Sequence, residues 1–133
     1  TMLISAELQK AQWATKDDLR VTTFGKFLRR SRLDEVPQFI NTLKGEMSII
    51  GPRPERPFFV AELSRSIPFY ETRHIVKPGL TGWAQVNSRY GGSVEESLTK
   101  LQYDLYYIKH YNPFLCLNII LKTLSTVLYY RGQ

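Results

Sequence analysis

Residues 33–45 read LDEVPQFINTLKG and define the first well-marked helix of the chain. Four apolar residues recur at the spacing i, i+3, i+4 and i+7, which is the stripe of an amphipathic α-helix. They are Val36, Phe39, Ile40 and Leu43. Asp34 is placed to cap the helix, Pro37 is tolerated because it lies in the first turn, and Gly45 is suited to end it. The stretch therefore predicts a helix over about residues 35–44 with two acidic residues at its amino terminus.

The acidic pair Asp34 and Glu35 is the most chemically suggestive feature of this helix start. A carboxylate there faces the positive end of the helix dipole and unpaired backbone N–H groups, so it is stabilised as the anion. With Arg29 and Arg53 nearby, such a site can hold phosphate oxygens while an acid attacks phosphorus. A divalent cation would relieve repulsion between carboxylate and diphosphate, and oxygen ligands favour Mg²⁺. From the pattern alone, a cap with a solvated charge remains the commoner interpretation, at roughly four to one.

Two short strands are predicted beside turns rich in glycine and proline. Residues 46–51, EMSIIG, indicate the first strand. The turn GPRP at 51–54 follows it, and prolines on both sides restrict the backbone of Arg53. The later stretch VKPGLTGWAQVNSRYGG contains a Pro-Gly turn and predicts the second strand around residues 83–86. The fold class that follows is α+β, predominantly helical, with a few short strands.

Two further helices are indicated between and after these strands. Residues 55–66 form the first, with its apolar positions expected to face inward: Phe58, Phe59 and Leu63. Ser93 and Glu96 make a capping box at the start of the second, which reaches His110. The apolar stripe of that helix consists of Val94, Leu98, Leu101, Leu105 and Ile108.

The final helix follows Asn112-Pro113 and carries an apolar stripe that two interpretations explain. The stripe consists of Phe114, Leu117, Leu121, Leu124 and Leu128. It could lie on a bilayer surface with Lys122 near the lipid headgroups. Packing against the other helices of the fold explains an apolar stripe at this spacing at least as well.

Composition narrows the class of protein and of partner. The 133 residues carry 18 Lys plus Arg and 12 Asp plus Glu, and the net charge of +6 favours an anionic partner. The single Cys116 excludes an internal disulfide, and two histidines argue against a histidine-based metal cluster. No apolar run reaches the roughly 18 to 20 residues that span a bilayer. One globular domain is expected over residues 21–133, preceded by a polar lead-in segment over residues 1–20.

Three blocks of sequence follow one another in an order found in a known family. They read FGKFLRRSRLDEVPQFINTLKGEMSIIGPRPE, RHIVKPGLTGWAQVNSRYG and LQYDLYYIKHYNPFLCLNIILKT. Over about residues 12–130 the chain resembles the bacterial sugar transferases, which are monotopic polyprenyl-phosphate phosphoglycosyltransferases. The resemblance implies transfer of a sugar 1-phosphate from a nucleotide sugar, commonly a UDP-sugar, to undecaprenyl phosphate at the cytoplasmic face of the bacterial inner membrane. That step begins the synthesis of exopolysaccharide, O-antigen or capsule.

The resemblance also implies a role for each matching residue of the site. Asp34 matches the nucleophile that forms a phosphosugar-aspartyl intermediate, and Glu35 matches the acid that helps to hold Mg²⁺. Arg29 and Arg53 match arginines associated with phosphate binding.

A further block of the family, PGLTGWAQVN, contains two residues that the resemblance associates with substrate. These are Trp83 and Gln85. A packed tryptophan and a loop amide are the alternative interpretation, at about even odds.

Several positions depart from the pattern of the family. Arg32 stands where a serine is common, and Cys116 stands where an aspartate is frequent. Members normally begin with a membrane-inserted helical hairpin followed by a KFRSM segment, and residues 1–20 contain neither. We therefore expect weak membrane binding, and slow turnover or none, from these 133 residues.

The rival hypothesis from another class is a non-catalytic basic module that binds acidic lipids or phosphorylated ligands. Nucleic acid is the weakest version of this hypothesis, because no recognition motif is present. The sugar, the polysaccharide and the oligomeric state do not follow from the sequence.

Overall fold

The computed structural model describes residues 20–31, 33–88 and 93–129 of the chain. Within them lie six α-helices and two short strands: α1 Thr23–Arg30, α2 Val36–Leu43, β1 Ser48–Ile50, α3 Pro57–Ser66, β2 Gly79–Thr81, α4 Trp83–Asn87, α5 Val94–Lys109 and α6 Pro113–Tyr129. Two 3₁₀ helices complete the described part, Leu33–Glu35 and Tyr70–Ile75. The predominantly helical α+β fold is confirmed. Except for Arg20, the predicted lead-in segment lies outside the described residues, as does Arg32.

The start of α2 differs from the prediction. The Leu33–Glu35 segment is a 3₁₀ turn, α2 begins at Val36, and its N-cap Glu35 makes no capping hydrogen bond through its side chain. The prediction that Asp34 caps this helix is therefore wrong. A capping side chain bonds to the second or third N–H of the helix, and Pro37 would offer no N–H at the third position. The predicted end is confirmed, because Gly45 follows the C-cap with a φ of +77°.

The two strands form a parallel pair in which Ser48 lies opposite Gly79 and Ile50 lies opposite Thr81. The first strand is where the sequence predicts it. The second lies earlier than predicted, and residues 83–86, expected to form it, belong to the helix α4. Local hydrogen bonds outweigh the strand preference of this segment. The Asn87 side chain donates to the carbonyl of Trp83, and the Ser88 hydroxyl donates to that of Ala84.

The hydrophobic core lies between α3, α5 and the second 3₁₀ helix. It consists of Phe59, Leu63, Ile67, Tyr70 and Leu101, with Val60 and Leu105 packed against it. Phe58, expected to face inward, is 49% exposed instead. The capping box of Ser93 and Glu96 is confirmed.

The buried face of α5 is rotated from the predicted stripe. Its buried residues are Ser97, Leu101, Asp104 and Tyr107, whereas Val94 and Leu98 are exposed. The rotation turns a carboxylate into the interior, where it meets a buried arginine. A charged pair, and not an uninterrupted apolar stripe, sets the orientation of this helix.

The last helix, α6, joins the body of the protein along a narrow strip. Ile119 is fully buried, the hydroxyls of Thr123 and Thr81 are 2.8 Å apart, and Lys122 donates to Asn87. The apolar stripe predicted for this helix is 52–85% exposed: Phe114, Leu117, Leu121, Leu124 and Leu128. Packing of the stripe against other helices, one of the two interpretations, is therefore wrong. Among the described residues, none of the helices has the length and apolar character needed to cross a bilayer.

Replacing Gly79 by alanine should strongly destabilise the fold. A Cβ atom at this position would lie 2.0 Å from the backbone nitrogen of Gly51, and backbone on both sides of the contact cannot move aside. We expect the free energy of unfolding, measured by urea denaturation, to fall by at least about 3 kcal/mol. Gly45→Ala is the matched control, because its Cβ would meet only Nζ of Lys77 at 4.0 Å, an ordinary contact, and only the positive φ is strained, at about 1–2 kcal/mol. Equal losses for the two variants would contradict the steric explanation.

Candidate functional site

The acidic pair lies on the 3₁₀ turn between α1 and α2, and this turn contacts both helices. Arg29 lies in the last turn of α1, and the side chains of Asp34, Glu35 and Arg29 are all half-buried. The neighbouring positions of α1, the turn and α2 expose large apolar side chains: Phe24, Phe27, Leu33, Val36, Phe39, Ile40 and Leu43. The carboxylates therefore lie within an apolar surface that also carries positive charge.

Arg53 is presented by the turn that follows β1. Its half-buried side chain lines an open cavity, and its carbonyl oxygen accepts a hydrogen bond of 2.9 Å from Nη2 of Arg73. The cavity is lined by Arg53, Glu55, Arg73, Ala84, Gln85, Ser88 and Lys100. The structure thus brings together two of the predicted site residues, Arg53 and Gln85.

The other predicted site residues do not line this cavity. Asp34, Glu35 and Arg29 belong to the neighbourhood of the 3₁₀ turn, and Trp83 points elsewhere from α4. Packing of the backbone connects the 3₁₀ turn with the cavity. Helix α2 begins directly after the acidic pair and contacts β2, and β2 leads into α4, which carries Gln85. The catalytic and phosphate-binding roles of these residues stay predictions.

Trp83 is part of a packed aromatic group where α4, α5 and α6 meet. Its ring stacks on Tyr106 at 6.2 Å, and Tyr106 in turn lies 4.5 Å from His110. Nζ of Lys122 lies 4.6 Å from the centre of the Trp83 ring and donates to Asn87, so it is held against the protein, and its contact with lipid headgroups stays a prediction. These contacts match the packing interpretation of Trp83, and its contact with substrate stays a prediction.

A buried ion pair, which the sequence analysis missed, holds Arg73, one of the residues that line the cavity. Nη2 of Arg73 lies 2.9 Å from Oδ2 of Asp104, and the two residues are 4% and 1% exposed. Nη1 of Arg73 donates to the hydroxyl of Tyr70 at 2.6 Å. One signal in the sequence could have indicated the buried carboxylate, although not its partner: Asp104 lies three residues after Leu101, on the same face of an amphipathic helix.

Burial changes the acid–base properties of the groups that contact Arg73. Removal from water raises the pKa of the Asp104 carboxyl to about 6, and the adjacent Arg73 guanidinium opposes the rise without cancelling it. Burial likewise raises the pKa of the Tyr70 hydroxyl, again against the opposing charge of Arg73. The ion pair is therefore shielded from water, and moderately acidic pH protonates its carboxylate.

The oxygen donors of the site suit Mg²⁺ shared with a substrate. No group of three or more metal-ligating side chains is found in the part of the chain that the structure describes. Mg²⁺ in phosphate-handling sites is commonly held by one or two carboxylates together with substrate phosphates and water. Asp34 and Glu35 supply two such carboxylates on adjacent residues, so the donor set fits Mg²⁺ held jointly with a diphosphate.

Paired carboxylates beside basic residues are typical of enzymes that act on phosphate esters or anhydrides, and comparison with known proteins defines the class more closely. The family model described as "Bacterial sugar transferase" matches residues 1–130. The chain belongs to the bacterial sugar transferase family.

Individual relatives carry specific names. The chain is 48% identical over 128 residues to a UDP-N-acetylgalactosamine-undecaprenyl-phosphate N-acetylgalactosaminephosphotransferase of Aeromonas hydrophila, covering 96% of this chain and 30% of that protein. It is 50% identical over 119 residues to a UDP-glucose:undecaprenyl-phosphate glucose-1-phosphate transferase of Xanthomonas campestris pv. campestris, covering 88% and 25%. A protein of the same description from Escherichia coli (strain K12) is 45% identical over 112 residues, covering 83% and 24%. The chain thus spans 24–30% of the length of these relatives.

Asp104→Asn should change how stability depends on pH. The folded-state pKa is about 6 against an ordinary value of 3.8, so the folded protein binds more protons than the unfolded chain between these values. The contribution of Asp104 to stability is therefore fully present below about pH 4 and is lost as the pH rises through 6. A shift of about two pKa units corresponds to about 3 kcal/mol.

The measurement is urea denaturation of wild type and variant from about pH 3.5 to 7.5. The stability of wild type minus that of Asp104→Asn should fall across this range and then level off. Glu46→Gln, a change at an exposed carboxylate, serves as the control for the subtraction. A difference for Asp104→Asn that is constant with pH would show that its carboxyl does not titrate as the burial requires.

Proposed function

We propose that the protein transfers a sugar 1-phosphate from a UDP-sugar to undecaprenyl phosphate. The observation that carries the proposal is the match to relatives named for this reaction over 83–96% of the chain. The half-buried acidic pair beside Arg29 supports it, because the reaction needs an anionic nucleophile next to cations that attract a diphosphate.

In the first step, a carboxylate oxygen of Asp34 attacks the phosphorus nearest the sugar. The bond from that phosphorus to the bridging oxygen breaks, and uridine monophosphate leaves with the oxygen and its electron pair. The product is an acyl phosphate that links Asp34 to the phosphosugar. In the second step, an oxygen of undecaprenyl phosphate attacks the same phosphorus, the bond to Asp34 breaks, and the carboxylate is regenerated. Neither step requires a proton from the enzyme.

The surrounding charges would lower the cost of bringing an anionic nucleophile to an anionic diphosphate. Arg29 and Arg53 would bind phosphate oxygens, and Arg53 is well suited because flanking prolines limit its backbone and Arg73 holds its carbonyl. Glu35, with substrate oxygens, would hold Mg²⁺. When bound, the ion neutralises charge that develops on the diphosphate as the bond to the leaving group breaks.

The acceptor is a membrane lipid, and the protein exposes surface that suits a bilayer. The exposed stripe of α6 and the apolar side chains around the acidic pair offer two surfaces for interfacial contact, and Lys26 on α1 is an exposed cation that attracts acidic lipids. We place the protein at the cytoplasmic face of the bacterial inner membrane, as a peripheral or monotopic enzyme. There it would catalyse the first membrane step of exopolysaccharide, O-antigen or capsule synthesis.

Asp34→Asn should abolish transfer, because an amide cannot serve as the phosphorus nucleophile. In a membrane-anchored form of the protein, release of uridine monophosphate from a UDP-sugar should fall by at least roughly a thousandfold. Glu35→Gln should retain slow release and require more Mg²⁺, because one oxygen ligand has lost its charge. The control is Glu46→Gln, an exposed carboxylate beyond α2, which should release the nucleotide at the wild-type rate. Near wild-type release by Asp34→Asn would rule out the covalent mechanism.

The α6 stripe should contribute to binding of vesicles. Leu121→Glu combined with Leu124→Glu places two charges on this exposed face, so flotation with phosphatidylglycerol-containing vesicles should weaken at least about tenfold. Asn118→Glu, on an exposed but polar position of the same helix, should have a smaller effect. Equal flotation by the double variant and wild type would show that α6 does not contact the bilayer.

A further inference from the structure

Two residues that line the cavity each have a buried side-chain atom without a hydrogen-bond partner among the described residues. The atoms are Nε of Arg73 and Oε1 of Gln85. Such atoms are rare in folded proteins, because they have given up water without gaining a partner. A bound ligand that supplies the missing partners is one physical reason to retain them.

The orientation of both groups is set by their other hydrogen bonds. Nη1 and Nη2 of Arg73 donate to Tyr70 and to the carbonyl of Arg53, which leaves Nε as the unused donor. Nε2 of Gln85 donates to the carbonyl of Leu80 at 3.1 Å, which identifies Oε1 as the unused acceptor. The cavity therefore combines one fixed, unpaired donor with one fixed, unpaired acceptor.

The remaining lining indicates the kind of ligand. Among the described residues, the lining contains no aromatic side chain on which a nucleobase could stack, and it contains four charged side chains: Arg53, Glu55, Arg73 and Lys100. Sugar hydroxyls both donate and accept hydrogen bonds, so adjacent hydroxyls can complement a donor, an acceptor and a carboxylate at once.

We propose that this cavity binds the sugar of the nucleotide sugar, with hydroxyl or acetamido groups accepting from Arg73 and donating to Gln85. Arg53 connects the cavity to the phosphates, because its side chain lines the cavity and its predicted role is phosphate binding. This inference rests on the proposed function and extends it by assigning sugar recognition to Gln85 and Arg73. Asp104 acts as a positioning residue, because its carboxylate holds the guanidinium of Arg73 in place.

The test compares the binding of UDP-glucose, UDP-N-acetylgalactosamine and UDP by titration calorimetry with Mg²⁺. Asp34→Asn is the parent protein, so that no covalent step consumes the ligand. The parent should bind at least one UDP-sugar more tightly than UDP. Gln85→Met should weaken binding of that UDP-sugar about tenfold and change UDP affinity less than twofold, because only the sugar loses its acceptor. Gln102→Met, at an exposed amide of α5 outside the cavity, is the matched control and should leave both affinities unchanged.

A second variant tests the donor. Arg73→Lys keeps the charge that faces Asp104 but removes the Nε–H group, so it should reduce the preference for the UDP-sugar over UDP. Thermal unfolding identifies the temperature range in which this variant is folded, and binding is measured there. The ratio of the two affinities is the relevant quantity, since general loosening of the protein would weaken both ligands.

Three results would overturn the inference, and they separate it from the proposed function. If Gln85→Met weakens UDP and UDP-sugar equally, the cavity recognises the nucleotide and not the sugar. If the variant changes neither affinity, the cavity does not contact the ligand. Both results refute sugar recognition here and leave the proposed reaction intact. If the parent binds no UDP-sugar at all, the proposed function fails, and the inference fails with it.

Discussion

The buried contact between Arg73 and Asp104 is the interaction on which the surrounding structure depends. Two charges removed from water are stable only when each is paired, and loss of one partner typically costs about 3–5 kcal/mol. This pair joins the second 3₁₀ helix to α5, and the same guanidinium reaches the carbonyl of Arg53. One side chain therefore orients a long helix and the turn after β1 and forms a wall of the cavity. Arg73 is thus both a partner in the structural ion pair and a proposed recognition group for the ligand.

The small parallel sheet provides the second constraint. Gly51 and Gly79 approach so closely that neither position has room for a side chain, and hydrogen bonds join the backbone on both sides of the contact. The close approach sets the position of the Arg53 turn relative to the start of α4, and thus the distance across which Arg53 and Gln85 face the same cavity. The prolines that flank Arg53 restrict its backbone, and the contact between Gly51 and Gly79 fixes its turn against a distant segment of the chain.

The described part of the protein exposes many large apolar side chains, although the chain carries a net charge of +6. Large apolar side chains cover α1, the first 3₁₀ turn, α2 and the outer face of α6, whereas the inner strip of α6 is held by buried Ile119 and by polar contacts of Lys122 and Thr123. Large contiguous apolar patches rarely face water in isolated soluble domains. They suit the interfacial role proposed for the enzyme, and they place the acidic pair on the side where a lipid acceptor would be presented.

The sequence by itself determined the features that depend on nearby residues: the helical α+β class, the capping box at Ser93, the end of α2 at Gly45 and the first strand. The blocks around the acidic pair also identified the family. Two departures from the predicted structure are also local in origin, because Pro37 offers no N–H for a cap at Asp34 and side-chain hydrogen bonds within residues 83–88 favour a helix over a strand. Tertiary structure decided what depends on distant contacts, such as the pairing of β1 with β2 and the close approach of Gly51 to Gly79. It also turned Asp104 inward, since the energy of that choice comes from an arginine in a distant segment that no local pattern reveals.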